Sequence, residues 1–148
     1  MPRRAVYGPA MPSPPQPSFL AASLLVAAGG ALGSWLRFCV GRAWVTALGP
    51  IRATAFPWST LTVNIAGSLA MGLLAGWLAR FGPSGEPTRL LLAVGVLGGF
   101  TTFSSFSLEV VSLLERGQGG LGLAYLAASL VAGFAGLWLG LTLMRVAA

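Results

Sequence analysis

Long apolar runs alternate with short polar connections along the chain after its first 18 residues. Four runs reach the roughly 20 residues that a helix needs to cross the hydrocarbon core of a bilayer. They cover residues 19–40, 58–79, 90–114 and 121–144. Glycines and prolines mark the connections between them. The pattern predicts an all-α membrane protein whose four transmembrane helices form a single domain over residues 19–148.

Polar residues interrupt the third run. Residues 98–109 read GGFTTFSSFSLE, with two adjacent glycines followed by five hydroxyl residues. Irregular backbone inside a bilayer is tolerated only where protein buries it or where it lines an aqueous cavity. We therefore predict that the third helix is broken at mid-membrane, near residues 98–102, and offers backbone carbonyls and small polar groups to an ion path.

Composition narrows the possible functions. The chain is 55% hydrophobic and 8% charged, whereas soluble domains carry about 25% charged residues. Its net charge of +6 comes from nine arginines against three glutamates, and the arginines lie at segment ends, a placement that suits lipid headgroups better than nucleic acid. The sequence has no histidine, one cysteine (Cys39) and no GxxxxGK[ST] loop. These absences argue against zinc sites, hydrolytic triads and ATP-driven pumping, so we do not expect an enzyme.

The arginines give no clear orientation in the membrane. Outside the first 18 residues, three fall on the side of the termini and three on the other: Arg80, Arg89 and Arg145 against Arg42, Arg52 and Arg116. Either so few loop charges are uninformative, or the chain inserts both ways and pairs antiparallel. Residues 1–18 contain six prolines and are predicted to form a flexible tail.

Small residues recur at helix-packing intervals in three of the runs. They are Gly29 and Gly33; Ser68, Gly72 and Gly76; and Ala132, Gly136 and Gly140. Such faces let helices approach closely in lipid, where no hydrophobic force drives them together. Because four helices enclose little interior, we expect the chain to oligomerise.

Several residues within the spans are candidates for function. Arg37 either snorkels to the interface or raises the anion concentration at a vestibule. Asn64, the only asparagine, either makes an interhelical hydrogen bond or offers its two N–H donors to an anion. Phe103 and Phe106, three residues apart, either pack or present their positive ring edges to an anion.

Polar groups also mark the end of the third span and the fourth span. Tyr125 and Ser129 are four residues apart, and Gly133 continues their helix face without a side chain. The hydroxyls form a polar strip, unless they bond back to their own helix. Glu109 is either a buried proton relay or a group at the wet mouth of the break.

Together these residues resemble the Fluc (CrcB) family of fluoride channels. The match rests on GGALGSWLRF, TLTVNIAGS and GGFTTFSSFSLE in the first three spans, and on Tyr125 with Ser129 in the fourth. It covers roughly residues 24–144. The resemblance implies an antiparallel, dual-topology homodimer with two pores in the plasma or inner membrane.

The resemblance also implies roles for individual residues. The fluoride path would be formed by Thr60, Asn64, Phe103, Phe106, Tyr125 and Ser129, with Arg37 in the vestibule. The carbonyls of Gly98 and Thr101 would bind one structural Na⁺ on the twofold axis. A third hydroxyl position of some members falls on Gly133, which leaves open whether water, a neighbouring group or Thr142 replaces that hydroxyl.

The mechanism implied by the resemblance is passive. Hydrogen fluoride enters the cell from acidic surroundings and ionises in the neutral cytoplasm, and the channel lets the trapped fluoride leave. One alternative is a small proton-coupled multidrug exporter, which needs an acid in its first span, where this chain has Arg37 instead. A second alternative is a non-transporting assembly subunit, which would not require the conjunction of Asn64, the break and the two phenylalanines.

Overall fold

The structure, a computed structural model, describes residues 16–146, which form helices joined by short connections. Residues 1–15 of the predicted tail and residues 147–148 lie outside the described part of the chain. We number the helices α1 (Phe19–Leu48), α2 (Pro50–Ala55), α3 (Trp58–Leu78), α4 (residues 86–100), α5 (Phe103–Glu115) and α6 (Gly119–Val146). A 3₁₀ turn, Gly82–Gly85, precedes α4.

The first helix has identifiable start and stop signals. The Ser18 hydroxyl accepts a hydrogen bond from the Ala21 N–H at 3.3 Å and so caps the start of α1. The helix continues past Val40, its predicted end, to Leu48. It stops at Gly49, whose φ of 77° lies in the left-handed region that favours glycine. Pro50 then opens α2, at a position where its missing N–H has no cost.

The helices confirm a multi-pass membrane protein. Four helical segments are long and apolar enough to cross a bilayer: Phe19–Leu48, Trp58–Leu78, Glu86–Glu115 and Gly119–Val146. The third of these segments comprises α4, the break and α5. Large apolar side chains such as Trp35, Phe134 and Trp138 point outward, where lipid or another protein surface covers them.

Glycines bring the helix backbones into direct contact. A Cβ added to Gly33 on α1 would collide with the Val96 carbonyl of α4, and one added to Gly72 on α3 would collide with the Leu137 carbonyl of α6. Gly140 faces α3 in the same way, since its Cβ would lie 2.5 Å from the Leu69 carbonyl. The predicted small faces on the first, second and fourth spans therefore pack α1 on α4 and α3 on α6.

The winding of α4 changes before the break. Arg89–Leu97 is wound as a π-helix, and the Gly98 N–H donates to the Ala93 carbonyl five residues back. Gly98 itself has helical angles (φ −63°, ψ −39°), so the glycine pair does not interrupt the helix. A Cβ on Gly99 would lie only 2.6 Å from the Gly30 carbonyl. Gly99 therefore allows α4 to approach α1, and the interruption comes one residue after Phe100.

Tryptophans tie the end of α1 to the start of α3. The rings of Trp44 and Trp58 stack with centroids 5.5 Å apart and an interplanar angle of 23°. The indole N–H of Trp44 also donates to the Thr62 hydroxyl at 3.1 Å. These contacts fix the relative height of the two helices. Trp and Tyr are enriched where transmembrane helices meet the headgroup region.

Candidate functional site

The third span is broken at two adjacent threonines. Thr101 (φ −82°, ψ 162°) and Thr102 (φ −154°, ψ 125°) are extended, between α4 and α5. The Thr102 hydroxyl accepts from the Ser105 N–H at 3.3 Å, which makes Thr102 the N-cap of α5. The hydroxyl-rich sequence thus encodes a new helix start, and Gly99 before it allows close packing on α1.

Asn64 holds the break from the neighbouring helix. Its side-chain N–H donates to the Thr102 carbonyl at 3.0 Å, and its side-chain oxygen accepts from the Thr102 N–H at 2.9 Å. In an uninterrupted helix the backbone N–H of Thr102 would instead donate to the Gly98 carbonyl, four residues back. Because the Thr102 N–H goes to Asn64, the Gly98 oxygen is released from that helical bond. One of the two N–H donors of Asn64 is used here, and the other remains.

Arg37 also contacts the break. Its guanidinium donates from Nη1 to the Thr101 carbonyl at 3.1 Å. Two side chains from two helices, Arg37 on α1 and Asn64 on α3, therefore hold successive carbonyls of the extended pair. The effect of the Arg37 charge on anions at a vestibule stays a prediction.

A cavity of about 400 Å³ opens beside the break. The polar and aromatic residues in its wall include Asn64, Ser68, Thr102, Phe103, Phe106 and Ser129. We call it the larger cavity. Among the described residues that line it, none carries a charge.

The two phenylalanines differ in environment although they share a helix face. Their ring centroids are 6.0 Å apart with an interplanar angle of 47°, and both rings line the larger cavity. Phe106 is 7% exposed and packs against Tyr125, whereas Phe103 is 78% exposed. Phe106 is therefore part of the core of the chain, and Phe103 is a surface group of the single chain.

Glu109 joins three helices through its carboxylate. The Thr60 hydroxyl donates to Oε1 and the Tyr125 hydroxyl donates to Oε2, each at 2.7 Å. Tyr125 is fully buried, and the edge of its ring also contacts Phe56, with centroids 5.5 Å apart. We call this set, Thr60, Glu109 and Tyr125, the carboxylate cluster.

Glu109 of this cluster also lines a second cavity. It has a volume of about 300 Å³ and includes Glu109, Ser59, Ser112 and Arg116 in its wall. We call it the smaller cavity. Glu109 lines the smaller cavity and bonds Tyr125, which is one helical turn along α6 from Ser129 in the wall of the larger cavity.

The Ser129 hydroxyl has no hydrogen-bond partner. Its oxygen is buried, and within residues 16–146 no protein group bonds to it. Buried polar groups usually find partners, and this hydroxyl beside a cavity is therefore available to an ion or a water that enters it. Of the predicted path residues, Asn64, Phe103, Phe106 and Ser129 thus meet at the larger cavity, while Thr60 and Tyr125 meet at Glu109.

Sequence reasoning missed two contacts of this site. It treated Glu109 as a separate acid, because the partners Thr60 and Tyr125 lie 49 and 16 residues away along the chain. It also left out Phe56, which precedes α3 and packs on Tyr125.

Four apolar spans, a broken third span and uncharged polar groups around a cavity define a membrane protein built to conduct or bind a small solute. Comparison of the sequence with known proteins identifies one family. The chain belongs to the family described as CrcB-like protein, Camphor Resistance (CrcB), whose family model matches residues 24–141.

Relatives match over most of their length. A protein of Novosphingobium aromaticivorans is 55% identical over 126 residues, which are 85% of this chain and 98% of the relative. One of Rhodospirillum centenum is 52% identical over 84% of this chain and 95% of the relative. One of Sphingopyxis alaskensis is 52% identical over 81% of this chain and 92% of the relative. Each of the three is named fluoride-specific ion channel FluC.

Proposed function

We propose that this chain forms a fluoride-selective ion channel through which cytoplasmic fluoride leaves the cell passively. The observation that carries the proposal is the larger cavity, where the Asn64 amide and the Ser129 hydroxyl meet the rings of Phe103 and Phe106. The wall offers hydrogen-bond donors and, among its described residues, no carboxylate. The names of the relatives supply the identity of the ion.

The groups on this wall suit a small anion. Moving an ion out of water is costly unless other polar groups replace its hydration. Asn64 retains one N–H donor, and the Ser129 hydroxyl has no protein partner. Aromatic ring edges carry partial positive charge and add weak attraction. Several weak donors would solvate fluoride without trapping it, which conduction requires.

In this proposal the fluoride path also includes the carboxylate cluster. A fluoride ion coming from the smaller cavity would take the place of the Glu109 carboxylate as acceptor of the Thr60 and Tyr125 hydroxyls. The ion would then pass Ser129, one helical turn along α6 from Tyr125. Both hydroxyls already donate to the oxygen atoms of a carboxyl group, which supports their use as donors to an anion.

The working unit in this proposal is an antiparallel, dual-topology homodimer in the inner membrane. Three arginines at either end of the spans leave the orientation balanced. Phe103, 78% exposed beside the larger cavity, is a ring that a second chain would cover. In this arrangement the break lies at mid-membrane, and each pore is walled by both copies.

A structural sodium ion is also part of the proposal, held by the carbonyls of Gly98 and Thr101. The released Gly98 oxygen and the extended geometry of Thr101 fit this role, because oxygen ligands suit a hard cation. Arg37 occupies one lone pair of the Thr101 oxygen and leaves the other. When bound, the ion would supply positive charge and cross-link the two chains.

The exporter alternative lacks support from the geometry. Its proton-exchanging acid belongs in the first span, and α1 contains no acidic residue. Glu109, the acid of the third span, already accepts a hydrogen bond on each oxygen. No observation therefore favours proton-coupled cation exchange over a passive anion channel.

The test is fluoride efflux from liposomes. Purified protein is reconstituted into vesicles loaded with potassium fluoride, valinomycin is added, and a fluoride electrode follows release, with chloride-loaded vesicles in parallel. We expect fast fluoride loss with chloride retained. Absence of fluoride efflux from dimeric protein would contradict the channel, and equal loss of chloride would contradict its selectivity.

A further inference from the structure

The polar strip on α6 has a gap. Tyr125, Ser129 and Gly133 follow one another at intervals of four residues and share one helix face. The first two carry hydroxyls, whereas Gly133 has no side chain. Ser129 and Gly133 both line the larger cavity, so the strip loses its hydroxyl inside the space where an ion would move.

A hydroxyl from another helix faces this gap. A Cβ built on Gly133 would lie 3.6 Å from the Oγ atom of Ser68, the one atom found within 4 Å of it. Ser68 belongs to α3 and also lines the larger cavity. It lies four residues after Asn64, on the same helix face. The space that residue 133 leaves open is therefore bordered by the side chain of Ser68.

The Ser68 hydroxyl is available for this role. Hydroxyls in helices often bond the carbonyl four residues back, as Thr46, Thr54 and Ser107 do here. Ser68 is not among the residues of the described chain that make such a bond. Its environment also differs from that of an ordinary packing serine, because its neighbour across the helix interface is a glycine beside a cavity.

We propose that Ser68 supplies, from α3, the ion-contacting hydroxyl that α6 lacks at Gly133. The inference rests on the proposed channel function and adds a contact residue to it. An ion leaving Ser129 would receive its next O–H donor from Ser68, so the path crosses from α6 to α3. The small-residue pattern Ser68, Gly72 and Gly76 then has two roles, since Gly72 packs on α6 while Ser68 faces the cavity.

The matched test moves the hydroxyl from one helix to the other. Ser68→Ala removes it, and we expect fluoride efflux from liposomes to fall about tenfold, because one hydrogen bond to an anion is lost. Adding Gly133→Ser to Ser68→Ala restores a hydroxyl in the same space, and we expect efflux to recover to within about threefold of the unmodified chain. Adding Gly133→Ala instead fills the same space without a hydroxyl and should not restore efflux.

The controls separate conduction from folding and from the channel proposal itself. Ser68→Cys preserves size but offers only a weak donor, so it should lower efflux while the dimer elutes normally. Unchanged efflux in both Ser68→Ala and Ser68→Cys, with the unmodified chain conducting, overturns the role of Ser68 alone. Equal rescue by Gly133→Ser and Gly133→Ala overturns it too, because filled space would then explain the effect. No efflux from the unmodified chain overturns the channel and this inference together.

Discussion

Asn64 on α3 and Thr102 at the break exchange two hydrogen bonds across 38 residues of sequence. An amide can satisfy both the N–H and the carbonyl of one residue, because it carries an acceptor oxygen and a donor nitrogen side by side on one planar group. The contact explains how an interrupted helix keeps its peptide groups paired within an apolar protein. Asn64 is therefore an architectural residue of the break as well as a lining residue of the larger cavity.

Replacement of Asn64 by Asp is expected to abolish fluoride efflux. A carboxylate puts negative charge in the path, and it also loses the N–H that bonds the Thr102 carbonyl. Efflux from liposomes measures the effect, and size-exclusion chromatography tests assembly. Ser107→Ala is the control, since its hydroxyl bonds only the Phe103 carbonyl of its own helix. Normal flux in the Asp variant would exclude Asn64 from the path.

Loss of the Tyr125 hydroxyl should weaken both stability and flux. Tyr125→Phe leaves the half-buried Glu109 carboxylate with one donor fewer, which we expect to cost about 1.5–3 kcal/mol. Thermal unfolding in detergent measures the first effect and efflux the second. Thr142→Val serves as the control, because that hydroxyl bonds a carbonyl of its own helix. An unchanged midpoint in Tyr125→Phe would mean that the carboxylate cluster contributes nothing to folding.

The two phenylalanines should separate stability from conduction. Phe106→Ala removes a buried ring and is expected to destabilise the chain by about 3 kcal/mol. Phe103→Ala alters a ring that is 78% exposed in the single chain, so its unfolding midpoint in monomeric form should change little while fluoride efflux falls. Unfolding curves and efflux from the same preparations give the comparison. Similar destabilisation by both variants would contradict the different environments described above.

Two glycines of α1 provide a matched pair for helix packing. Gly33→Ala should disrupt assembly of the fold, because the new Cβ would collide with the Val96 carbonyl. That carbonyl belongs to the backbone of α4, so it could move aside only if the helix shifted. Gly30→Ala meets nothing within 4 Å and should be neutral or stabilising by up to about 1 kcal/mol. Yield of folded protein and thermal unfolding measure both. A tolerated Gly33→Ala would show that α1 and α4 do not pack as described.

Arg37 is expected to act through its contact more than through its charge. Arg37→Lys keeps the positive charge but lacks the planar donor group that reaches the Thr101 carbonyl. We expect it to lower efflux and thermal stability nearly as much as Arg37→Gln. Arg42→Lys, at a segment end, is the control. Full activity of Arg37→Lys beside an inactive Arg37→Gln would instead support attraction of anions by charge.

The four spans could be predicted because apolar length and glycine or proline punctuation are local properties of sequence. The position of the break could not be predicted to the residue, because a glycine can mark either the interruption of a helix or a close helix contact. Only the approach of Gly99 to Gly30 assigns that glycine to packing and leaves the break to Thr101 and Thr102.

For the candidate site too, some features could be predicted from the sequence and others depend on tertiary contacts. The family resemblance implied one path through Thr60, Asn64, Phe103, Phe106, Tyr125 and Ser129. The structure brings Asn64, Phe103, Phe106 and Ser129 to one cavity, whereas Thr60 and Tyr125 bond to Glu109 instead. The bonds of Arg37 to Thr101 and of Thr60 to Glu109 depend on tertiary contacts 64 and 49 residues apart. Spacing also could not reveal that one phenylalanine is buried and the other exposed, because both share a face.

The stacked indoles of Trp44 and Trp58 provide a reference point from which positions along α1 and α3 can be measured. At 30 residues, α1 is about 45 Å long, more than the roughly 30 Å of hydrocarbon that it crosses. Arg37 lies seven residues before Trp44 and Asn64 six after Trp58, so each sits about 9–10 Å below the indoles. Arg37 and Asn64 hold the break between α4 and α5, so these two stretches of α1 and α3 set the distance from the stacked indoles to the break. Changes in the length of the connecting loops would leave that distance unaltered.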